Sequence, residues 1–186
     1  MRDARRTNRG PGAAAQNRAA LIAAAREVFA AAGYDAPLSM VARAAGVGQG
    51  SLYRHFPDRV SLAMAVFEDG VAEVEALAAE PGATLDDVLA LITEQTIAST
   101  AFVDMVSASL ADPRIVAVHN RVADVLAGKL AEAQRAGRVR ADLTAEDLVL
   151  AVGMITAVLA KRPAPARRVS AARAWTLLRR GLVPDA

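Results

Sequence analysis

The chain contains no cysteine and only two histidines in 186 residues. Disulfides, thiolate metal sites and cysteine nucleophiles are therefore excluded, and His55 with His119 is a poor basis for zinc coordination. No metal and no cofactor are expected. Aromatic residues make up only 4% of the chain, so the core must be aliphatic. No segment alternates strictly between apolar and polar with β-branched enrichment, which removes the signal for a sheet. Long apolar runs are missing too. Leu148 to Ala160 is the longest, short of the roughly 18 to 20 residues a bilayer span needs, and reads as a buried helix. The arginine-rich start, Met1 to Gly12, leads into Ala-Gln-Asn-Arg rather than an apolar segment with a cleavage site. No secretory leader and no membrane partner are expected, and the chain is placed in the cytoplasm.

What is present is aliphatic bulk: 54% of residues are hydrophobic and 23% charged. That is enough apolar surface for a proper core in one domain, or in two small ones sharing a core, and it argues against disorder. The formal charge of +2 hides an asymmetry. Residues 1–60 hold nine arginines against four carboxylates, a net +5, which leaves −3 for the remainder. A basic first third on an acidic body points to a polyanion at one end and a different task for the bulk, although a solvated charged face gives the same count.

Three- and four-residue apolar spacing recurs from Leu21 to Leu182, so the fold is expected to be all-α, with about nine helices. Residues 1–12 read as a flexible basic arm. Asn17 is expected to cap a first helix with Leu21, Ile22, Ala25, Val28, Phe29 and Ala32 in one stripe, ended by Gly33. Ser39 to Ala45 forms a two-turn helix, Gly46 suits the left-handed residue that stops it, and Gln49 to Phe56 forms a second short helix. Asp58 caps a long helix that keeps its period until Pro81-Gly82. Beyond that break, Thr84-x-x-Asp87 and Thr144-x-x-Asp147 resemble capping boxes and start helices at about 84–100 and 144–161. Phe102 to Leu110 and Pro113 to Ala136 are also expected to be helical. Pro163 and Pro165 mark a loop before a last helix from about Val169 to Leu182. The domains are then an arm (1–12), a head of short helices (13–58) and a helical body (59–186).

Two short helices joined by a glycine turn at the basic end describe a helix-turn-helix. On spacing alone, a generic helix pair fits as well. The segment from Leu38 to Arg59 goes further. Its Ala45-Gly46-Val47 turn, its Gly50-x-Leu52-Tyr53-x-His55-Phe56 run and the basic Arg59 three residues on resemble the TetR family of bacterial transcriptional regulators, and residues 15 to 78 carry the likeness. The resemblance implies a sequence-specific regulator, not an enzyme, that binds double-stranded DNA at a palindromic operator as a homodimer. It is most often a repressor released by a small-molecule effector, and it acts at the nucleoid.

The resemblance assigns Ser39, Gln49, Gly50, Ser51 and Tyr53 to DNA, with Tyr53 and His55 as a phosphate pair. Gln49 can contact adenine bidentately, Ser51 suits a base or a phosphate, and Gly50 lets the backbone approach closely. Arg59 replaces the family's usual lysine and is expected to grip phosphate with a fork. Arg54, variable in the family, is electrostatically suited to the same anion. Pro37 stands where Thr or Ser often starts the second helix, so that cap is expected on Ser39, and Gly48 lacks a hydroxyl frequent there. The arm arginines Arg2, Arg5, Arg6 and Arg9 suit a narrow minor groove, or equally a tail of no consequence.

For the body, the resemblance implies dimerisation and effector sensing. The last two helices, through Leu159, Trp175, Leu178 and Leu182, are the expected partners in an isologous interface. The same faces can instead complete the protomer core. Phe67, Phe102, Met105, His119, Met154 and Thr156 are the candidate pocket, mixing apolar walls with a few polar groups. The long fourth helix, from Asp58 past Phe67 to Val74, is the expected lever.

Two other classes compete. Gly46-Val-Gly-Gln-Gly superficially resembles a phosphate-cradling loop, but it follows an alanine-rich helix rather than a strand and carries no Walker lysine. No Gly-x-Ser-x-Gly elbow occurs, and the carboxylate pairs Glu68-Asp69 and Asp86-Asp87 have no partner base. A helical protein–protein adaptor, or a DNA-binding regulator without a ligand, remains the alternative reading.

Overall fold

The computed structural model describes residues 11–98 and 113–182, and among them every regular element is a helix. These are α1 (Pro11–Ala32), α2 (Leu38–Ala44), α3 (Gln49–His55), α4 (Arg59–Ala79), α5 (Leu85–Ala98), α6 (Pro113–Arg135), α7 (Ala145–Ala160) and α8 (Ala164–Leu182). The expected helix at 102–110 lies outside the described residues.

Helix α1 starts at Pro11 rather than at Asn17. Its first turns are alanine-rich, and the low cost of helical alanine carries the helix through a residue that elsewhere makes a good cap. The expected inward stripe is present: Leu21, Ile22, Ala25 and Phe29 are buried, while Ala32 at the end is exposed. Helix α8 likewise starts earlier than expected. Pro163 and Pro165 bracket its first residue instead of forming a loop, because a proline in the first turn gives up an N–H that has no helical partner there.

Local signals fixed most of the ends. Thr144 and Asp147 exchange both bonds of a capping box, Thr144 N–H donating to Asp147 Oδ2 at 2.8 Å and Asp147 N–H to Thr144 Oγ1 at 3.2 Å. Thr84 and Asp87 repeat the pattern at 2.9 and 3.2 Å. At the start of α4, Ser61 N–H donates to Asp58 Oδ1 at 2.7 Å, as the Asp58 cap requires.

Contacts divide the chain between Val66 and Phe67, inside α4 and later than the expected break at 58–59. The first turns of α4 carry Leu62, Ala63 and Val66, all buried, so the N-terminal unit takes part of its core from this helix. Within that unit α1 packs on both α2 and α3. In the C-terminal unit α5 packs against α6, α7 and α8, and α7 packs against both α6 and α8. The core there is Val74, Leu85, Val88, Leu89, Ile92, Leu126, Leu130, Ala133 and Leu148. A smaller cluster joins Ile155, Leu159 and Ala171, with Ile97, Trp175 and Leu178 packed against it. Lys129 is buried but satisfied, its Nζ donating to the Ala83 carbonyl at 2.9 Å and to Glu132 at 3.0 Å. Among the described residues, no helix is long and apolar enough to cross a membrane.

Candidate nucleic-acid interface

The turn between α2 and α3 is built by one glycine. Gly46 has φ of +64°, a region costly for any residue with a Cβ. Val47 N–H donates back to the Ala42 carbonyl at 2.9 Å and Gly46 N–H to Arg43 at 3.1 Å, which closes α2 with a Schellman motif. The chain then leaves in the direction that starts α3 at Gln49. Leu52 and Phe56, four apart, are buried beneath α3. Burying that side turns the opposite one outward.

The outward side holds Gln49, Gly50, Tyr53 and Arg54, all exposed, with Ser51 and His55 at its partly buried margins. Tyr53 keeps 53% of its surface accessible, a large exposure for an aromatic residue that can pack inward. A Cβ added at Gly48 or Gly50 would meet nothing within 4 Å, and neither residue has a positive φ. Nothing inside the protomer requires glycine at these two positions. Glycine inside a helix, as at Gly50, costs about 0.5–1 kcal/mol relative to alanine.

Arg54 is not extended toward solvent. Its Nε donates to the Gly50 carbonyl one turn back at 3.1 Å, laying the guanidinium along the outward side of α3. Ser39 is exposed in the first turn of α2 but does not cap it, which corrects the expected cap. Pro37 occupies the capping position with φ −57° and ψ 133°, and Met40 N–H donates to the Pro37 carbonyl at 2.8 Å. The fixed φ of proline starts the helix one residue early and leaves the Ser39 hydroxyl on the surface.

Arg59, expected to grip phosphate, is half-buried, and its Nη1 donates to the carbonyls of Tyr34 and Ala36, the latter at 2.6 Å. Its guanidinium lies 5.4 Å from the centroid of the Tyr34 ring. The physical reason is proximity: two carbonyls in the connection between α1 and α2 point at the start of α4, and a planar cation satisfies both. Burial raises the Tyr34 phenol above its usual pKa, and the charge of Arg59 partly offsets that rise.

Sequence reasoning missed Arg18 and Tyr34. The Arg18 guanidinium sits 5.4 Å from the centroid of the Phe56 ring, connecting α1 to the end of α3. Tyr34 packs on Phe29, with ring centroids 5.8 Å apart. Neither pairing has a signal in residue spacing.

Of the expected pocket residues in the C-terminal unit, His119 and Met154 are exposed, Phe67 and Thr156 are partly buried, and Phe102 and Met105 lie outside the described residues. A groove of about 410 Å³ lies between α5 and α8. Leu89, Thr93, Ile97, Ala171 and Trp175 line it, and the Glu94–Arg168 pair stands at its rim. Trp175 Nε1 donates to Thr93 Oγ1 at 2.7 Å, and that hydroxyl donates to the Leu89 carbonyl at 2.7 Å, so both polar groups are satisfied. Three of the expected interface residues take part in the protomer's own packing. Leu159 is fully buried in its own protomer, Trp175 and Leu178 pack against the same cluster, and the side chain of Leu182 lies outside the described residues. The exposed apolar positions are their neighbours: Leu150, Met154 and Val158 on α7, and Val169 and Leu177 on α8.

Comparisons with known proteins agree with this arrangement. Residues 21–66 match the family of bacterial regulatory proteins named for TetR, and residues 80–184 match the C-terminal domain of SbtR-like transcriptional regulators. A TetR transcriptional regulator of Streptomyces coelicolor is similar at 31% identity, with 91% of this chain and 99% of that one covered and a TM-score of 0.71. A TetR regulatory protein of Mycobacterium vanbaalenii is 32% identical over 93% of this chain and 98% of its own, with a TM-score of 0.60. CprB of Streptomyces coelicolor, solved with its operator sequence, shares the fold at 23% identity, 92% and 90% coverage and a TM-score of 0.61. No curated protein matches the chain by sequence. The family is one of transcription regulators rather than enzymes. A glycine-turned helix pair with a polar outward face, on an all-helical body matched along its length, makes this chain a member of the TetR family of transcriptional regulators with an N-terminal DNA-binding domain.

Proposed function

We propose that this regulator binds a palindromic operator as a homodimer, represses the genes beside it, and is released by a small molecule. One observation carries the DNA contact: the outward face of α3 combines exposed Gln49, Tyr53 and Arg54 with two glycines that the protomer itself does not need. In this reading Gln49 reads a base edge, Ser51 a base or phosphate, and Tyr53 and His55 hold one strand. Arg54 adds charge, Ser39 reaches the backbone from α2, and Gly50 admits the duplex. The operator complex of CprB, a protein of the same fold, supports this docking. The site of action is then the cytoplasmic nucleoid.

The dimer reading rests on the exposed apolar face of α7 and α8. Leu150, Met154 and Val158 recur every four residues on α7, and Leu150 keeps 62% of its surface accessible. Val169 and Leu177 on the adjoining helix are similarly bare. A second copy covering this face removes it from water and presents a second α3 to a neighbouring half-site, about 34–36 Å or a multiple away. The effector reading favours the groove between α5 and α8, whose volume suits a small ligand and whose floor is apolar with a charged rim.

Footprinting with the purified protein across its genomic neighbourhood tests the DNA reading. A protected inverted repeat is the expected result, and binding that follows salt but not sequence overturns it. Trp175 is the only tryptophan and lines the groove. Its fluorescence reports an effector, and a compound that releases the operator without changing that emission rules out this seat.

A further inference from the structure

Residues 37–58, which contain the whole helix-turn-helix, form a loop whose two ends meet at one side chain. Ahead of α2 lie the carbonyls of Tyr34 and Ala36; just after α3 comes Arg59, whose Nη1 donates to both. Each end is itself anchored. Ala36 is buried, and Tyr34 packs on Phe29 of α1. On the other side, Ser61 N–H donates to Asp58 Oδ1 and Ser61 Oγ to the Asp58 carbonyl, both at 2.7 Å, which sets the first turn of α4 and so the place of Arg59.

Arg59 is a cation at the helix end that carries partial positive charge, next to the capping Asp58. The Asp58 carboxylate, two carbonyl oxygens and the face of the Tyr34 ring offset that repulsion. A lysine here keeps the charge but presents a flexible point donor without the planar stack on the ring.

We infer that Arg59 is a positioning residue: it closes the neck of the helix-turn-helix and thereby sets the pose of α2 and α3 on α1, rather than binding phosphate. The inference rests on the DNA reading above for its consequence, but not for the clamp itself. With the neck open, the loop regains freedom that a base-specific complex must remove again, whereas non-specific binding through backbone charge tolerates many poses.

The test compares the full-length protein with Arg59→Lys and Arg59→Ala. Binding is measured by fluorescence anisotropy on the footprinted operator and on an unrelated duplex, across a salt series, at a temperature where circular dichroism shows each variant folded. Both variants are expected to lose about tenfold or more in operator affinity, the scale of one charge-assisted hydrogen bond. Affinity for the unrelated duplex and the salt slope should stay near wild type. The inference is overturned if Arg59→Lys binds the operator as wild type does while Arg59→Ala lowers the salt slope by about 0.9, the signature of one lost phosphate contact. Should Arg59→Ala fail to fold, the lysine variant decides by the same criterion. Should the wild type show no sequence-specific binding, the DNA reading fails and hydrogen exchange judges the clamp. Faster exchange at residues 34–40 and 58–62 in Arg59→Lys sustains it, and unchanged exchange overturns it.

Discussion

Three arginines of the N-terminal unit rest on rings and carbonyls, Arg18 on Phe56, Arg54 on Gly50 and Arg59 on Tyr34 and Ala36, whereas in the C-terminal unit four face carboxylates and two, Arg135 and Arg167, rest on carbonyls. Arg121 pairs with Glu75, Arg140 with Asp142, Arg168 with Glu94 and Arg179 with Asp86. A ring or a carbonyl holds a cation in place without cancelling its charge, while a carboxylate cancels it. The contrast shows one way in which a chain of nearly balanced charge keeps a basic end: four arginines of the acidic body are paired with carboxylates, while three of the head are held in place and stay positive. Surface ion pairs contribute little to stability, so their worth in the body lies more in balancing charge than in holding helices together.

That comparison is sharpened first by its largest expected effect. Leu159→Ala should cost the C-terminal unit about 2–5 kcal/mol, read as a lower denaturant midpoint, because the side chain is fully buried in the protomer. An interface role alone predicts a change in oligomeric state with the protomer's stability intact. The reciprocal substitution, Leu177→Glu, acts on a side chain with 63% of its surface exposed. It should leave the helical signal unchanged and convert dimer to monomer in sedimentation velocity; a dimer that survives removes α8 from the interface.

In the head, Gln49→Ala should cost about 1–3 kcal/mol of discrimination at one base pair, with little change in salt slope. Equal loss on all sequences would turn Gln49 into a phosphate ligand. A smaller effect belongs to the caps. Thr144→Ala should cost about 1 kcal/mol, because the hydroxyl accepts from Asp147 N–H. Its signature is faster hydrogen exchange in the first turn of α7, and unaltered exchange there would count against the capping box.

The last prediction separates the two units by pH. Thr84 holds the Asp87 carboxyl below the ordinary range by hydrogen bonds from its hydroxyl and then its N–H, and the Thr144 N–H and hydroxyl do the same for Asp147. Arg121 lowers Glu75 and Arg140 lowers Asp142. A carboxyl whose folded pKa lies below its unfolded one contributes stability above the unfolded value and loses it as pH falls through the folded value. Tyr34 has the opposite sign. Burial raises it above the ordinary 10.0, so its contribution is complete below that value and is lost as pH climbs through the folded pKa. Acid below the ordinary carboxylate range should therefore loosen the C-terminal unit first, and alkali the N-terminal one, as read by hydrogen exchange resolved along the chain. The reverse order would break the comparison.

Much of the site was legible because its signals are local. Gly46 announces a left-handed residue, Thr144-x-x-Asp147 a cap, and Leu52 with Phe56 the inward side of α3, each through residues within a turn of one another. Which apolar side chains of α7 stay exposed was not legible. Helix α7 carries Leu148, Leu150, Met154, Ile155, Val158 and Leu159 around its circumference, so apolar spacing alone cannot say which face meets its own core. Leu159 faces that core, and Leu150 faces solvent.

From residue order came the helices, their caps, the glycine turn and the basic end, because hydrogen bonds within a turn and charge counts depend on neighbours in the chain. Tertiary structure alone decided what the long side chains meet: Arg59 the carbonyls before α2, Arg18 the Phe56 ring, Trp175 the Thr93 hydroxyl. An arginine advertises a charge and a planar fork but not its acceptor, and that acceptor is set by how helices distant in sequence pack.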